Sequence, residues 1–176
     1  MKTLIIYAST YGYAKECADK LKEMIEGEVT ASNIKTDQVP PLDGFDQVII
    51  GGSIYMGQIQ KKIKEYCTAN LKPLLQKKVG LFLCCGLPEN FEDTIKNCFP
   101  RELLEHAAVK ECFGGELRIE KMNLAHKMIA GLMQRATKQG TPETMGMPEN
   151  MTKLAEIMNG QLGPGGTVHE KGATRP

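Results

Sequence analysis

The chain has 176 residues, 41% of them hydrophobic and 24% charged, which is typical of a globular domain large enough to bury a core. Its 22 Lys and Arg nearly balance 21 Asp and Glu, giving a net charge of +1, so neither a nucleic-acid partner nor strong attraction to an anionic membrane is expected. The sequence contains no apolar run long enough for a membrane span and no signal-peptide pattern, and we therefore expect a cytoplasmic protein.

The first elements alternate between strand and helix. An uninterrupted apolar run over 3–8 predicts a strand buried on both faces. Apolar positions at helical spacing over 12–25 predict a helix that stops near Gly27. A second strand is predicted over 28–34, and a loop with turn residues follows it.

The same alternation repeats through the middle of the chain. Strands are predicted over 47–53, 77–86 and 109–119, with a bulge at Gly114-Gly115. Helices are predicted over 58–71 and 90–98, and a further turn or two over 101–107. Such alternation predicts an α/β fold, in which helices cover both faces of a mostly parallel, doubly wound sheet.

The pattern changes after the fifth strand. A helix is predicted over 123–137, a polar loop over 138–150 and a closing helix over 151–158. We expect one domain over 1–162, with a helical insert at 123–148, and a flexible tail over 163–176.

The cysteines do not form a recognisable metal or redox motif. The chain has six of them, none in a C-x-x-C pair: Cys17, Cys67, Cys84, Cys85, Cys98 and Cys112. Zinc and thioredoxin-type sites are therefore not expected, and we predict no metal site. Cys84 and Cys85 are adjacent at the end of a strand, where successive side chains point to opposite faces. This favours packing over redox chemistry, and the redox alternative stays open.

Ligands of a doubly wound sheet bind beyond the carboxyl ends of its strands, so the loops after strands one, three and four are the candidates. The first loop carries the hydroxyls of Ser9, Thr10 and Tyr11, and Gly12 stands at the start of a helix. Helix N-terminal amides suit a phosphate group. The loop has neither the Walker lysine nor a G-x-G-x-x-G pattern. It predicts a phosphate cradle without charged residues, with an ordinary capped turn as the alternative.

The other two loops suit a planar ligand. Tyr55 and Met56 lie between glycines, where an exposed aromatic ring is available for stacking worth about 1 kcal/mol. A surface tyrosine in a turn is the alternative. The third loop, CCGLPEN, offers backbone amides beside a glycine, which suit a ring with hydrogen-bonding heteroatoms.

The segments STYGYA, GGSIYMG and CCGLPEN, in this order and spacing, resemble the phosphate loop and the two flavin loops of the flavodoxin family. The resemblance covers about 1–119 and, with the closing helix, most of the chain. It implies FMN as cofactor and a flavodoxin-like, five-stranded parallel sheet in the order 2-1-3-4-5. Within the family, the first two segments and the insert are most similar to the branch that contains menaquinone-dependent protoporphyrinogen dehydrogenase.

The resemblance also implies which residues bind the cofactor. Those around the phosphate are Ser9, Thr10, Tyr11, Gly12, Tyr13 and Ala14. Those beside one face of the isoalloxazine ring are Ser53, Ile54, Tyr55, Met56 and Gly57. Those beside the other face are Cys84, Cys85, Gly86, Leu87, Pro88, Glu89 and Asn90. Ala14 replaces a common hydroxyl residue, and the third loop lacks the usual aromatic partner.

Two functions are compatible with these features. The first is a redox carrier that transfers electrons through bound flavin to redox partner proteins, although such carriers are typically acidic and this chain is not. The second is an FMN-dependent oxidoreductase acting on a quinone or a porphyrinogen. The insert helix has an apolar stripe that suits a substrate site, a peripheral membrane contact or packing on the sheet.

We predict no catalytic side chain. His106 and His126 lie on predicted helices and His169 lies in the tail, and all three are interpreted as surface residues. Flavin chemistry requires no general acid or base from the protein, because the cofactor itself carries the electrons.

Overall fold

The computed structural model describes residues 1–55, 57–86, 88–115 and 145–163. Five strands form a parallel sheet: β1 (Lys2–Ala8), β2 (Glu28–Asn33), β3 (Gln47–Tyr55), β5 (Lys78–Cys84) and β6 (Val109–Cys112). Their order is β2-β1-β3-β5-β6, and the two-residue strand β4 (Gln58–Ile59) pairs antiparallel with β3. With β4 set aside, this is the predicted order, and the predicted fold is confirmed.

Helices cover both faces of the sheet. In chain order they are α1 (Tyr13–Met24), α2 (Lys61–Ala69), α3 (Leu71–Leu74), α4 (Phe91–Lys96), α5 (Arg101–His106) and α6 (Pro148–Met158). Short 3-10 turns span Leu42–Gly44 and Pro88–Asn90. Helices α1 and α6 pack on one face, and α2 to α5 pack on the other.

The core consists of two apolar layers, one on each side of the sheet. Along β1, Leu4 and Ile6 point to the layer of α2 to α5, whereas Ile5 and Tyr7 point to the layer of α1 and α6. This alternation follows from the period of a strand. It explains why β1 is apolar without interruption from Leu4 to Ala8, since both of its faces are covered.

Two predicted elements differ in the structure. The predicted helix over 58–71 starts only at Lys61, because Gly57 (φ 72°) reverses the chain and places Gln58 opposite Tyr55 in a hairpin. The predicted fifth strand ends at Cys112. The glycine pair is not a bulge but a separate strand, β7 (Gly114–Gly115), which pairs antiparallel with β8 (Met145–Gly146).

Several predictions fall outside the described residues. These are the end of the fifth strand at 116–119, the helix over 123–137 and the tail beyond 163. The closing helix is present and starts at Pro148, three residues earlier than predicted, because proline is favoured in the first turn of a helix. No helix in the described ranges has the length and apolar character needed to cross a membrane.

Candidate functional site

The three predicted loops start side by side at the carboxyl edge of the sheet. Ala8, the last residue of β1, is paired with Gly52 of β3. Ser53 of β3 is in turn paired with Cys84, the last residue of β5. The sheet register therefore brings the loops after β1, β3 and β5 to one edge, as predicted from the topology.

The first loop ends in a helix N-terminus that is shaped for an anion. Gly12 caps α1 with φ of 99°, a left-handed conformation that costs another residue about 1–2 kcal/mol. Its N–H donates to Ser9 Oγ at 3.1 Å, and its carbonyl accepts the first helical hydrogen bond, from Glu16. The N–H groups before Glu16 have no carbonyl to donate to within the helix. Backbone amides at this position are suited to phosphate oxygens.

Two side chains assigned to the phosphate loop belong to the fold instead. The Tyr13 hydroxyl donates to the carbonyl of Phe113 at 2.8 Å and so ties α1 to the end of β6. The Ala14 side chain is fully buried between α1 and the sheet. Any contact that these two residues make with a phosphate would therefore come from the backbone.

The prediction of a phosphate cradle without charged residues was wrong, because a lysine contacts the first loop. Lys35 Nζ donates to Thr10 Oγ1 at 2.9 Å, and Gln60 Nε2 donates to the same oxygen at 3.1 Å. Lys35 belongs to the turn after β2, and Gln60 immediately precedes α2. Two segments far away in the sequence thus complete the polar surface around Thr10, and one of them brings a cation.

The position of Lys35 is itself fixed by hydrogen bonds. Its N–H donates to Asn33 Oδ1 at 3.2 Å, and its carbonyl accepts from Lys62 Nζ at 3.2 Å. Asp37 accepts from the Asn33 N–H at 2.7 Å, which closes the turn. Sequence reasoning missed Lys35 because only the loops after strands one, three and four were considered, although Lys35 follows the end of β2 just as directly.

The second loop is an extension of β3 that contacts the first loop. The rings of Tyr11 and Tyr55 lie edge to face, with centroids 5.9 Å apart and planes at 73°. Tyr55 is half-buried, not exposed as expected, and burial is the main factor that raises the pKa of its hydroxyl. Ser53 is partly exposed, whereas Ile54 packs against the core. Met56 lies outside the described residues.

The third loop begins with two buried cysteines. Cys84 lies in the core layer of α1, with its sulfur 3.9 Å from that of Cys17, whereas Cys85 Sγ lies 3.2 Å from Cys112 Sγ on β6. The two adjacent thiols therefore have different neighbours, as expected for side chains pointing in opposite directions. The following Gly86 is exposed.

The remainder of the third loop is a 3-10 turn. It is formed by Pro88, Glu89 and Asn90, and the side chains of Glu89 and Asn90 are exposed. Asn90 stands before α4, but its side chain makes no capping hydrogen bond. Leu87 lies outside the described residues.

We next consider candidate metal ligands and the histidines. Among the described residues, no cluster of histidine, cysteine and acidic side chains is arranged to hold a metal ion. His106 Nε2 lies 2.7 Å from the carbonyl of Lys77, which precedes β5 at the opposite edge of the sheet. His126 and His169 lie outside the described residues.

Known structures resemble this arrangement. A short-chain flavodoxin associated with a PDU bacterial microcompartment is 19% identical, covers 78% of this chain and 99% of its own, and has a TM-score of 0.51. The flavodoxin of Streptococcus pneumoniae TIGR4 is 17% identical, covers 92% of this chain and 100% of its own, and has a TM-score of 0.50. A flavodoxin of Fusobacterium nucleatum bound to flavin mononucleotide is 15% identical, with coverages of 62% and 68% and a TM-score of 0.43.

At these identities the structural similarity demonstrates the fold alone. No curated protein matches the chain in sequence. The family comparison is more specific, because the flavodoxin domain matches residues 4–144, which include all three loops. The chain therefore belongs to the flavodoxin family, and FMN is its cofactor, as predicted from the sequence.

Proposed function

We propose that this protein transfers electrons through FMN held at the carboxyl edge of the sheet, between the loops after β1, β3 and β5. The observation that carries the proposal is the direct contact between the first two loops. Tyr11 of the first loop packs edge to face against Tyr55 of the second, and Gln60, between β4 and α2, donates a hydrogen bond to Thr10. The phosphate loop and the ring loop thus form one continuous surface, as a single nucleotide ligand requires.

The phosphate end fits a dianion. The first-turn amides of α1 and the positive end of its dipole favour negative charge. Ser9 and Thr10 add hydroxyls that can donate, and Lys35 adds a positive charge next to Thr10. Because the ligand's phosphate is charged and these donors are fixed by the fold, the phosphate group is expected to anchor the cofactor.

The ring end fits a planar, largely apolar group. Tyr55 is partly covered by Tyr11 and keeps a partly exposed ring, which can stack on a flavin. The Tyr55 hydroxyl is neutral at physiological pH, and burial, which raises its pKa, widens that margin. Gly57 in the second loop and Gly86 in the third have no side chain, so the backbone at these two positions can lie directly against the ring. Ser53, Tyr55, Gly57, Cys85 and Gly86 are thus the residues that we assign to the ring.

Bound FMN supplies the reversible uptake and release of electrons. The chain's own residues bind the phosphate, orient the ring and limit its contact with water. No side chain in the described ranges is required as a proton donor for this role. Redox partner proteins are the proposed electron donors and acceptors, and a cytoplasmic location is part of the same proposal.

The sequence resemblance also supports a second function, that of an FMN-dependent protoporphyrinogen or quinone oxidoreductase. The resemblance to this branch lies in the first two loop segments and in the insert at 123–148, and most of the insert lies outside the described residues. A substrate site or a peripheral membrane contact formed by this insert therefore stays a prediction from the sequence.

One set of measurements tests both functions. Adding the purified protein to FMN is expected to quench the flavin fluorescence at one FMN per chain. Thr10→Val should weaken this binding, whereas Thr68→Val on the exposed face of α2 is the same substitution away from the site and should leave it unchanged. A wild-type chain that binds no FMN would contradict the proposal.

Electron transfer is then followed by absorbance without oxygen. The chemically reduced, FMN-loaded protein is mixed with an oxidised ferredoxin-type protein or with menadione, and the oxidised protein is mixed with protoporphyrinogen. Exchange with the protein partner alone supports the carrier, and rapid turnover with protoporphyrinogen and menadione supports the oxidoreductase. FMN that is bound but exchanges electrons with none of them contradicts both.

A further inference from the structure

Two cysteine sulfurs meet at the start of the third loop, where Cys85 is one of the residues assigned to the FMN ring and Cys112 is not. Cys85 Sγ and Cys112 Sγ are 3.2 Å apart, and neither cysteine is in a disulfide. A disulfide bond is about 2.0 Å long, so a small movement of the two side chains would bring the sulfurs within bonding distance. Cys17 and Cys84, the other close pair, are more widely separated at 3.9 Å.

The backbone holds these two cysteines next to each other. Leu83 of β5 is paired with Cys112 of β6, so the chain that continues to Cys85 leaves the sheet beside that strand. The backbone of the third loop also lies directly against β7. A Cβ atom added to Gly115 would be 2.6 Å from the N atom of Gly86 and 2.8 Å from the carbonyl carbon of Cys85. The contact between the sulfurs is therefore part of the packing between two neighbouring segments.

The Cys112 thiol has a lowered pKa, as does the Cys17 thiol beside Cys84, whereas burial raises the pKa of other cysteines. The hydrogen bond with the Cys85 thiol lowers the pKa of Cys112 from 9.0 to about 7, assisted by the backbone of Gly114 and opposed by burial. Burial alone raises the pKa of Cys67 to about 12, and it raises that of Cys84 well above its ordinary value. The thiolate is the nucleophilic form of cysteine, so Cys112 is more reactive than Cys67 or Cys84.

Both cysteines are only slightly accessible to solvent. Cys85 is 6% exposed and Cys112 is 4% exposed, so a bulky oxidant cannot approach them without movement of the loop. A peroxide of the size of hydrogen peroxide is small enough to reach such a site. Redox-sensitive thiols combine a low pKa, access to solvent and a nearby second cysteine; this pair has the first and the last, and access is limited to a small oxidant.

We propose that Cys85 and Cys112 form a redox-active pair that hydrogen peroxide oxidises to a reversible disulfide. The Cys112 thiolate attacks one peroxide oxygen, the O–O bond breaks, and the departing hydroxide takes up the proton that Cys112 released, giving water. Cys112 is then a sulfenic acid. The Cys85 sulfur attacks the Cys112 sulfur, the S–O bond breaks, and the hydroxyl leaves as a second water with the Cys85 proton. Two electrons from the two sulfurs thus reduce one peroxide to two waters.

The disulfide can be detected by mass spectrometry of the full chain. The purified protein is reduced, freed of reductant, treated with hydrogen peroxide, blocked with an alkylating agent under denaturing conditions and digested with trypsin. Cleavage after Lys and Arg places Cys84 and Cys85 in peptide 79–96 and Cys112 in peptide 111–118. We expect these two peptides to be joined, with a mass lower by two hydrogen atoms, and to separate again after treatment with dithiothreitol.

Variants identify which of the two adjacent cysteines takes part. Cys85→Ser and Cys112→Ser should each abolish the joined peptides. Cys84→Ala removes the neighbouring thiol from the same peptide and should leave the joined product unchanged. Circular dichroism verifies that each variant is folded, and where one is not, the wild-type chain together with Cys84→Ala still decides the question.

Several outcomes would overturn the proposal. These are the absence of joined peptides in the wild-type chain, a product that persists in Cys85→Ser or disappears in Cys84→Ala, and a product that dithiothreitol does not reverse. The pair requires no flavin, so the experiment is carried out with and without FMN. A chain that failed to bind FMN would contradict the proposed function and leave this test unaffected.

Discussion

The loops after β1 and β5 lie at the same edge of the sheet but are constructed differently. The first is polar and partly exposed, and its hydroxyl at Thr10 is contacted by Lys35 and Gln60 from other segments. The third begins with the buried sulfurs of Cys84 and Cys85. One sheet edge thus combines a surface arranged for an anion with a tightly packed segment that carries buried thiols.

The largest effect expected from this comparison concerns the phosphate of the ligand. If the first loop provides most of the polar contacts, riboflavin, which lacks the phosphate, should bind about 100-fold more weakly than FMN, a loss of about 2.8 kcal/mol. Fluorescence titration of the same protein preparation with each flavin measures the ratio. Equal affinities would mean that the first loop does not hold the phosphate.

The sequence predicted those parts of the fold and of the site that depend on local patterns. The alternation of elements predicts a parallel, doubly wound sheet, the family resemblance implies its strand order, and Gly12 at the start of α1 identifies the helix N-terminus. Lys35 was missed because its contact with Thr10 spans 25 positions and is made by a side chain. The proximity of Cys85 and Cys112 depends on strand register and on the close approach of Gly115, neither of which has a local signal.

The close packing of the third loop can be tested at Gly115. A Cβ atom there would be 2.6 Å from a backbone atom of Gly86, so Gly115→Ala should lower the free energy of unfolding by about 2 kcal/mol through overpacking. Gly86→Ala is the matched control, because a Cβ atom at Gly86 would meet nothing within 4 Å. Its effect should stay below about 1 kcal/mol in either direction.

Urea unfolding followed by circular dichroism measures both changes. In the first loop, Gly12→Ala should be intermediate, since its cost of about 1–2 kcal/mol comes from the left-handed backbone of Gly12. If Gly115→Ala were as stable as Gly86→Ala, the third loop would not be held by packing, and the contrast between the two loops would be wrong.

The thiol pair should respond to pH through Cys112. Because its pKa is about 7, raising the pH through this value converts Cys112 to the nucleophilic thiolate. The rate of disulfide formation with peroxide should therefore rise about eightfold from about pH 6 to about pH 7.5. The groups near Cys112 are the Cys84 and Cys85 thiols and the Glu111 carboxylate, which is paired with Lys153 Nζ at 2.7 Å.

Time-resolved alkylation and mass spectrometry follow this rate. A thiol with the ordinary pKa of 9.0 would also become faster with pH, but without levelling off above about pH 8. A rate that continues to rise steadily to about pH 9 would show that the Cys85 thiol does not stabilise the Cys112 thiolate.

The smallest predicted effect concerns Lys35, the cation that contacts the first loop. Lys35→Gln removes the cation next to Thr10 and should weaken FMN binding about fivefold, about 1 kcal/mol, since the side chain is exposed and its charge is screened by water. Riboflavin has no phosphate for the cation to attract, so its affinity should not change. Lys35→Arg, which keeps the charge, should retain most of the affinity for FMN.

A matched control separates this local effect from that of the overall charge. Lys22→Gln makes the same change on an exposed residue in the last turn of α1, at the far end of the helix from the loop. It should leave both flavin affinities unchanged, and raising the salt concentration should reduce the difference between wild type and Lys35→Gln. If Lys22→Gln weakened FMN binding as much as Lys35→Gln, the cation would act through net charge and not through its contact with the first loop. If Lys35→Gln weakened riboflavin binding as much as FMN binding, the role of Lys35 would instead be to stabilise the conformation of the first loop.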